Sequence, residues 1–270
     1  MTNLTTAIPP DVHADIMRRL ARVEAAEGVK ILLAIESGSR AWGFASPNSD
    51  FDVRFIYVRP ADWYLSVDLE ERRDVIEYPI VDEIDLNGWD VRKALRLFWK
   101  SNPAFVEWVQ SPINYIERGS FAPQVRELLP QVYRLDSGIH HYRSMAKTNY
   151  REHLQAEMVR LKKYFYVLRP LLAVRWLQTY QTPAPIEFDK LLHLIDDAPL
   201  LQADIAALLA QKRFTPELGL SPKVPRINDF IEAELARPVA PEYSERPNVM
   251  PALNNLFQQV LNEAGAAAAP

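Results

Sequence analysis

Residues 36–53, ESGSRAWGFASPNSDFDV, decide the fold of this protein. Before them, residues 30–36 are almost entirely apolar, which predicts a strand covered on both faces. After them, residues 51–58 largely alternate between apolar and polar side chains, which predicts a second strand. The stretch therefore predicts a strand, a Gly-Ser turn into a short helix, and a second strand that opens with two acids.

The Gly-Ser turn has the features of an anion site. Gly38 lets the backbone approach a phosphate closely, and the free amides at the start of the following helix can bind an anion together with the Ser39 hydroxyl and Arg40. These three residues are predicted to form a triphosphate-binding turn. Ser39 as a nucleophile is the weaker interpretation, because the Gly-x-Ser-x-Gly context is missing.

The two acids of the second strand predict a metal site. Asp50 and Asp52 are two residues apart, so they should point to one face of the strand, with their α-carbons about 6–7 Å apart. Two carboxylates at about 4 Å repel by about 4 kcal/mol at an effective dielectric of about 20, and a divalent cation removes this cost. Mg²⁺, or Mn²⁺ in its place, prefers such oxygen ligands and shares them with substrate phosphates.

A third carboxylate, Asp85, lies in residues 80–86, which are predicted to form a neighbouring strand. Asp85 could act as the base that deprotonates an attacking hydroxyl, or as a ligand of a second ion. Glu83, on the same predicted face, is the weaker candidate for either role. Asp50, Asp52 and Asp85 are therefore the predicted catalytic residues and metal ligands.

These residues resemble a known signature. Gly38-Ser39, ten intervening residues and Asp50-Phe51-Asp52 are similar to the motif of the DNA polymerase β nucleotidyltransferase superfamily. A wider similarity, to the RNA-repair-associated RlaP group of predicted nucleotidyltransferases, covers three further segments. They are Asp85–Asp90, Lys100–Tyr115 and Lys162–Pro170.

The resemblance implies a Mg²⁺-dependent enzyme that binds a nucleoside triphosphate such as ATP and transfers its nucleoside monophosphate, with a role in RNA repair. The acceptor is left open between an RNA end, a protein and a small molecule. Trp42 stands where the smallest members of the superfamily often have arginine, so one triphosphate contact is either lost or supplied from elsewhere.

Composition sets wider bounds on the function. The 270 residues, 48% of them apolar, are enough for one large domain or two small ones, and the absence of cysteine excludes disulfides and thiolate-bound zinc. With no apolar run of about 18–20 residues and no signal-like N-terminus, we expect a soluble, cytoplasmic protein without a membrane span.

Charge is distributed unevenly along the chain. Residues 46–90 contain twelve acids and four arginines, whereas residues 143–175 contain eight bases and two acids. Metal-assisted chemistry on a phosphate-bearing substrate fits this polarity, although two solvated faces of opposite sign would also produce it. Within the basic stretch, Lys162 and Arg169 flank an apolar helical stripe, and we expect them either to bind phosphates or to be solvated helix charges.

The predicted fold class is α+β, with a mixed nucleotidyltransferase-type sheet and flanking helices, followed by an α-helical C-terminal domain. A long basic stretch at residues 137–180 is predicted to be helical. The predicted domains are a catalytic domain at 1–118, a helical substrate-binding domain at 119–263 and a disordered tail at 264–270. A catalytically inactive module that uses the same fold to bind a nucleotide or a partner is the alternative function.

Overall fold

The protein is described from a computed structural model, which covers residues 8–214, 220–239 and 248–266. The chain divides into two compact units. The sheet unit contains residues 8–38, 50–133 and 248–266, and the helical unit contains residues 39–49, 134–214 and 220–239. The two units are therefore interleaved along the chain, whereas the predicted domains at 1–118 and 119–263 are contiguous.

The sheet unit is built on five strands. In chain order they are β1 (Lys30–Glu36), β2 (Phe51–Val58), β3 (Val75–Glu77), β4 (Ile84–Asp90) and β5 (Asn114–Glu117). Their order in the sheet is β3-β4-β2-β1-β5. The central pair β2 and β4 is parallel and the other pairs are antiparallel, so the sheet is mixed as predicted.

Helices cover both faces of this sheet. Helix α1 (Pro10–Glu27) packs its buried residues against one face, where Phe51, Val53 and Phe55 point. The other face, which carries Ile56 and Val58, packs against four helices. They are α3 (Val91–Trp99), α4 (Pro103–Val109), α5 (Phe121–Val132) and α10 (Met250–Ala266). Strand alternation therefore divides the core into two layers.

Helix α10 explains why the sheet unit includes residues from the end of the chain. Leu253, Leu256 and Val260 are buried in the same core cluster as strands β1 and β2. Residues 264–266, predicted to belong to a disordered tail, continue this helix, and residues 267–270 lie outside the described residues.

The helical unit begins with residues 39–49, which contain most of the short helix α2 (Gly38–Ala41). Its other elements are α6 (Leu135–His153), β6 (Met158–Arg160), α7 (Lys162–Tyr180), a 3₁₀ helix (Asp189–Ile195), α8 (Pro199–Phe214), β7 (Leu220–Pro222) and α9 (Pro225–Ala236). Strands β6 and β7 pair in a small antiparallel sheet that interrupts the helical stretch predicted for residues 137–180.

A turn shifts one strand from its predicted position. The sequence predicted a strand at residues 80–86, but Asp82 and Glu83 have φ values of 54° and 61°, and β4 begins only at Ile84. In this left-handed conformation the two residues reverse the chain, since they are flanked by a bridge between Val81 and Ile84. Glu83 is thus a turn residue and does not share the face of Asp85.

Within the part of the chain that the structure describes, no helix is both long and apolar enough to cross a bilayer.

Candidate functional site

Two of the predicted catalytic acids lie side by side in the sheet unit. Strands β2 and β4 run parallel with Asp52 opposite Asp85, so both side chains lie on the same face of the sheet. Both are part-exposed, at 32% and 27% of the side-chain surface. Asp50 directly precedes β2 and is exposed.

An arginine lies between the two carboxylates. Nη2 of Arg54 donates to Oδ1 of Asp52 at 2.9 Å and to Oδ2 of Asp85 at 2.7 Å. Its Nη1 donates to the carbonyls of Val53 and Asp85, both at 3.1 Å. One guanidinium group therefore joins both strands and neutralises charge at the point where the acids face each other.

Gly38 is required by its contact with Asp52. A β-carbon at position 38 would lie 2.0 Å from Oδ2 of Asp52, and the φ of Gly38 is +60°. The backbone amide of Ser37 also donates to the Asp52 carbonyl at 2.8 Å. Any side chain at position 38 would therefore displace the carboxylate, which adds a steric reason for glycine to the phosphate approach predicted from the sequence.

A buried carboxylate fixes the start of β2. Glu36 is fully buried, and its side chain accepts hydrogen bonds from the Asp52 amide at 3.0 Å and from the Tyr115 hydroxyl at 2.7 Å. The Ser111 hydroxyl donates to the Glu36 carbonyl at 2.6 Å. The backbone of Asp52 is thus held from the end of β1 and from β5.

The turn before Asp85 is held from α1. Arg19 donates to the Val81 carbonyl and to a carboxylate oxygen of Asp82, each at 2.8 Å. The carbonyl of Glu83 accepts from the Phe51 amide at 2.7 Å. This left-handed turn, which costs backbone energy for residues other than glycine, therefore fixes the register that places Asp85 beside Asp52.

The donor chemistry of this cluster suits a hard cation. Carboxylate oxygens are the preferred ligands of Mg²⁺, and Asp52 and Asp85 already converge on one positively charged nitrogen, that of Arg54. Among residues 8–214, 220–239 and 248–266, no three acidic or histidine side chains are grouped closely enough to hold a metal ion by themselves. The structure thus shows a two-carboxylate cluster where the sequence predicted three converging acids.

The remaining motif residues belong to the helical unit. Arg40 is buried and donates from Nη2 to the Ser49 carbonyl at 2.6 Å. The carbonyl of Ser39 accepts from the Phe44 amide at 3.0 Å, and the Trp42 carbonyl accepts from the Phe188 amide at 2.9 Å. Segment 39–49 is therefore tied both to itself and to the helical core.

Arg169 is packed inside the helical unit. It is 3% exposed, donates from Nε to the Ile186 carbonyl at 3.0 Å, and holds its guanidinium carbon 4.3 Å from the centre of the Trp42 ring. The interpretation of Arg169 as a solvated helix charge is therefore wrong. A cation does lie beside Trp42, the position where arginine was expected, and α7 supplies it. A direct contact of Arg169 with nucleotide stays a prediction.

A second buried cation, Lys212, was missed by the sequence analysis. Its Nζ donates to the Phe44 carbonyl at 2.7 Å and lies 5.3 Å from the centre of the Phe44 ring. Burial, together with the charges of Lys162 and Arg40, lowers the pKa of Lys212 to about 8. Cations from segment 39–49, α7 and α8 are thus close enough to repel one another.

Both missed residues had a signal in the sequence. Arg54 follows Asp52 by two residues on a strand, which places them on one face. Lys212 follows Leu208 by four residues on α8 and so lies on the buried stripe of that helix, where lysine is rare.

Comparison with known proteins agrees with the motif. The model of the RlaP family, described as an RNA repair pathway DNA polymerase β family, matches residues 12–259. The uncharacterized protein YcgL of Bacillus subtilis (strain 168) is 44% identical over 251 residues, which is 92% of this chain and 96% of YcgL.

One solved structure is also similar, a nucleotidyltransferase-like protein from Exiguobacterium sibiricum 255-15. It covers 93% of this chain and 77% of its own, with 14% identity and a TM-score of 0.30, a level at which the likeness by itself supports no conclusion. The family match spans both compact units and includes the Gly-Ser turn and all three predicted acids. This chain therefore belongs to the RlaP family of DNA polymerase β-type proteins.

Proposed function

We propose that this protein is a Mg²⁺-dependent nucleotidyltransferase that transfers a nucleoside monophosphate from a nucleoside triphosphate to an acceptor hydroxyl and releases pyrophosphate. The observation that carries the proposal is the pairing of Asp52 with Asp85 on adjacent parallel strands, both converging on one positive charge. Membership of the family supports nucleotidyltransferase-type activity in general. The metal, the nucleotide and the acceptor belong to our proposal.

The carboxylates fit a divalent cation. Asp52 and Asp85 offer oxygen ligands at one place, and Asp50 lies at the entrance to the same strand. Asp52 and Asp85 would hold Mg²⁺, or Mn²⁺ in its place, and we propose Asp50 as a third ligand that joins them once the cation is bound. The bound cation would stabilise the negative charge that develops on the phosphates during transfer.

The chain's own residues then divide the chemistry. The acceptor oxygen attacks the α-phosphorus, the bond from that phosphorus to the bridging oxygen of pyrophosphate breaks, and the acceptor proton passes to a carboxylate. We propose that Asp85 is the carboxylate that accepts this proton. Its alternative role is that of a metal ligand. Glu36 is a positioning residue for Asp52, because its side chain accepts a hydrogen bond from the Asp52 amide at 3.0 Å.

Cations of the helical unit are assigned to the triphosphate. Arg40 and Lys162 were predicted from the sequence to bind phosphates. Lys212 joins them because, in addition to its burial, the positive charges of Lys162 and Arg40 disfavour its protonated form and so lower its pKa. An anion among the three would relieve this repulsion. With Ser39 and the backbone at Gly38 they form the proposed triphosphate contacts, while the buried Arg169 positions Trp42.

Product analysis tests the proposal. The protein is incubated with Mg²⁺ and each nucleoside triphosphate labelled at the α-phosphate, with and without candidate RNAs. We expect label on an RNA end, since the family is described as an RNA repair family, and label on protein or on a small molecule would identify another acceptor. Asp52→Asn should reduce transfer at least about a hundredfold. The matched control is Asp68→Asn, which removes an exposed carboxylate paired with Arg72.

A binding module without activity is the second candidate, and the neutralisation of Asp52 and Asp85 by Arg54 is the observation that favours it. Calorimetry separates the two functions. An enzyme should bind nucleotide more tightly with Mg²⁺ and lose this gain in Asp52→Asn. Nucleotide binding that responds neither to Mg²⁺ nor to the substitution, together with no label transfer, would identify the module.

A further inference from the structure

We propose that Arg54 is a tethered counter-ion that occupies the carboxylates of Asp52 and Asp85 and must release them before a divalent cation can bind. This inference rests on the proposed function, since it concerns the cation of the same site. It adds a residue outside the predicted motif and an order to the binding events.

The contacts of Arg54 place it in competition with a metal ion. A single nitrogen, Nη2, binds Oδ1 of Asp52 and Oδ2 of Asp85, so one positive centre is shared by the two carboxylates. A divalent cation held by both acids would share them in the same way. A cation held by the same two carboxylates would lie close to the guanidinium group, and their like charges would repel at this short range.

The charge of Arg54 cannot be switched off by pH. Guanidinium remains protonated throughout the range in which proteins are folded, so release requires the side chain to move. Its side chain is 18% exposed and reaches both acids from the same face of β2. Its other nitrogen, Nη1, holds two carbonyls at 3.1 Å, so movement also breaks neutral hydrogen bonds.

A nucleoside triphosphate would compensate this loss. Arginine pairs strongly and often bidentately with phosphate oxygens, so a guanidinium released by the carboxylates gains a new partner when nucleotide is present. Cation and nucleotide should consequently bind more tightly together than either does alone, and the coupling must be reciprocal. Arg54 would offset part of the negative charge of the two acids until both ligands have arrived.

Binding of Mn²⁺ to the full-length protein tests this without measuring catalysis. Free Mn²⁺ is followed by electron paramagnetic resonance, with and without an ATP analogue whose α–β bridge is methylene. For the unaltered protein we expect the nucleotide to raise Mn²⁺ affinity about tenfold or more, a coupling within the usual range. Arg54→Gln should raise Mn²⁺ affinity without nucleotide by about tenfold and reduce the gain that nucleotide brings.

Two further variants complete the experiment. Arg72→Gln removes an arginine of the same unit that pairs with one exposed acid, Asp68, and should leave Mn²⁺ affinity unchanged. Arg54→Lys keeps the charge but loses the fork, so it should bind Mn²⁺ more tightly than the unaltered protein even if Arg54→Gln fails to fold. Circular dichroism and thermal melts identify folded variants.

The outcomes distinguish this inference from the proposed function. Equal or weaker Mn²⁺ binding by folded Arg54→Gln or Arg54→Lys overturns the role of Arg54 and leaves the proposed function standing. Absence of Mn²⁺ binding in every variant, with and without the nucleotide analogue, overturns both. Tighter binding in the Arg54 variants, with Arg72→Gln unchanged, supports the counter-ion.

Discussion

The carboxylates of the sheet unit and the cations of the helical unit are both close to charges of their own sign, but they differ in the partners beside them. Asp52 and Asp85 lie beside an arginine of their own strand pair, whose single positive charge offsets part of theirs. Lys212 instead lies against a carbonyl and an aromatic ring, and the charges that act on it most, Lys162 and Arg40, have its own sign. Within the sheet unit the two carboxylates therefore have an opposite charge beside them, whereas the like charges that act on Lys212 would be offset by the anionic ligand of the proposed function.

The largest expected effect in this comparison comes from Gly38→Ala, which would displace the carboxylate of Asp52 by a steric clash. The new methyl group would lie 2.0 Å from Oδ2 of Asp52, in a backbone conformation with φ of +60°. We expect stability to fall by about 2–4 kcal/mol and label transfer to fall at least about tenfold. Urea melts and the product analysis measure these losses.

Gly28→Ala is the matched control for this prediction. Gly28 has a nearly identical φ of +62° in the same unit, but a β-carbon there would meet nothing within 4 Å. Gly28→Ala should lose about 1 kcal/mol of stability, because alanine is strained at this positive φ, and should keep its activity. Equal losses in both variants would show that the contact with Asp52 is unimportant.

The next largest effect is expected for Lys212→Met, which removes one cation from the cluster of Arg40, Lys162 and Lys212. We expect nucleotide affinity to fall about tenfold, because one of the cations assigned to the triphosphate in the proposed function is removed. Lys190→Met, which removes an exposed lysine of the same unit paired with Glu187, is the control and should bind nucleotide normally. Calorimetry at pH 7 measures both. Unchanged affinity in Lys212→Met would remove Lys212 from the proposed triphosphate contacts.

The same variant should change stability with pH in a defined direction. The pKa of Lys212 is lowered from 10.5 to about 8, so between these values the unfolded chain holds a proton that the folded protein has released. Stability of the unaltered protein should therefore rise from pH 8 to pH 10.5. Lys212→Met should be more stable by about 1–2 kcal/mol below pH 8, and this gain should vanish as the pH rises through that window. Urea melts at pH 7 and pH 10.5 check the sign.

A smaller effect is expected for Arg169→Lys, which tests whether this cation supports the helical core or binds ligand. Lysine cannot reproduce both the stacking on Trp42 and the Nε hydrogen bond to Ile186, so stability should fall by about 1–2 kcal/mol with nucleotide affinity nearly unchanged. Arg226→Lys, at an exposed pair with Asp204, should change neither. Thermal melts and calorimetry distinguish the two roles, because loss of affinity without loss of stability would make Arg169 a ligand contact.

The smallest effect is a gain in stability from Glu83→Gly. Glycine adopts the φ of 61° at this turn without the steric cost that glutamate bears, and the carbonyl that accepts from Phe51 is kept. We expect stability to rise by about 0.5–1 kcal/mol, as measured by urea melts. Asp82→Gly is the contrasting variant. It relieves the same kind of strain but removes the ion pair with Arg19, and should gain less.

The comparison also shows what the sequence could predict. Strands β1 and β2 were predicted with their observed bounds, because an unbroken apolar run and a period of two are local signals. Strands β5 and β6, of four and three residues, were not predicted, because such short strands are defined by their partners. The position of β4 was wrong because Asp82 and Glu83 seldom occupy left-handed turn positions together.

The residues of the candidate site also divide into those that local sequence patterns predicted and those that depend on distant partners. The pairing of Asp85 with Asp52 was predicted from local strand patterns and confirmed by the register. The contacts of Arg54 depend on two strands at once, and the burial of Lys212 and Arg169 depends on packing between distant segments. Local periodicity can place such residues on a face, but only the tertiary structure shows what that face meets.

The position of helix α10 has a consequence for the order in which the protein is made. Leu253, Leu256 and Val260 complete the hydrophobic layer beneath β1 and β2, although more than half of the chain is translated between β2 and this helix. On the ribosome, α3, α4 and α5 can cover only part of that face of the nascent sheet, and the rest stays exposed while the whole helical unit emerges. Premature termination between residues 86 and 249 would leave part of this apolar surface exposed and prone to aggregation, even though every proposed catalytic carboxylate had already been synthesised.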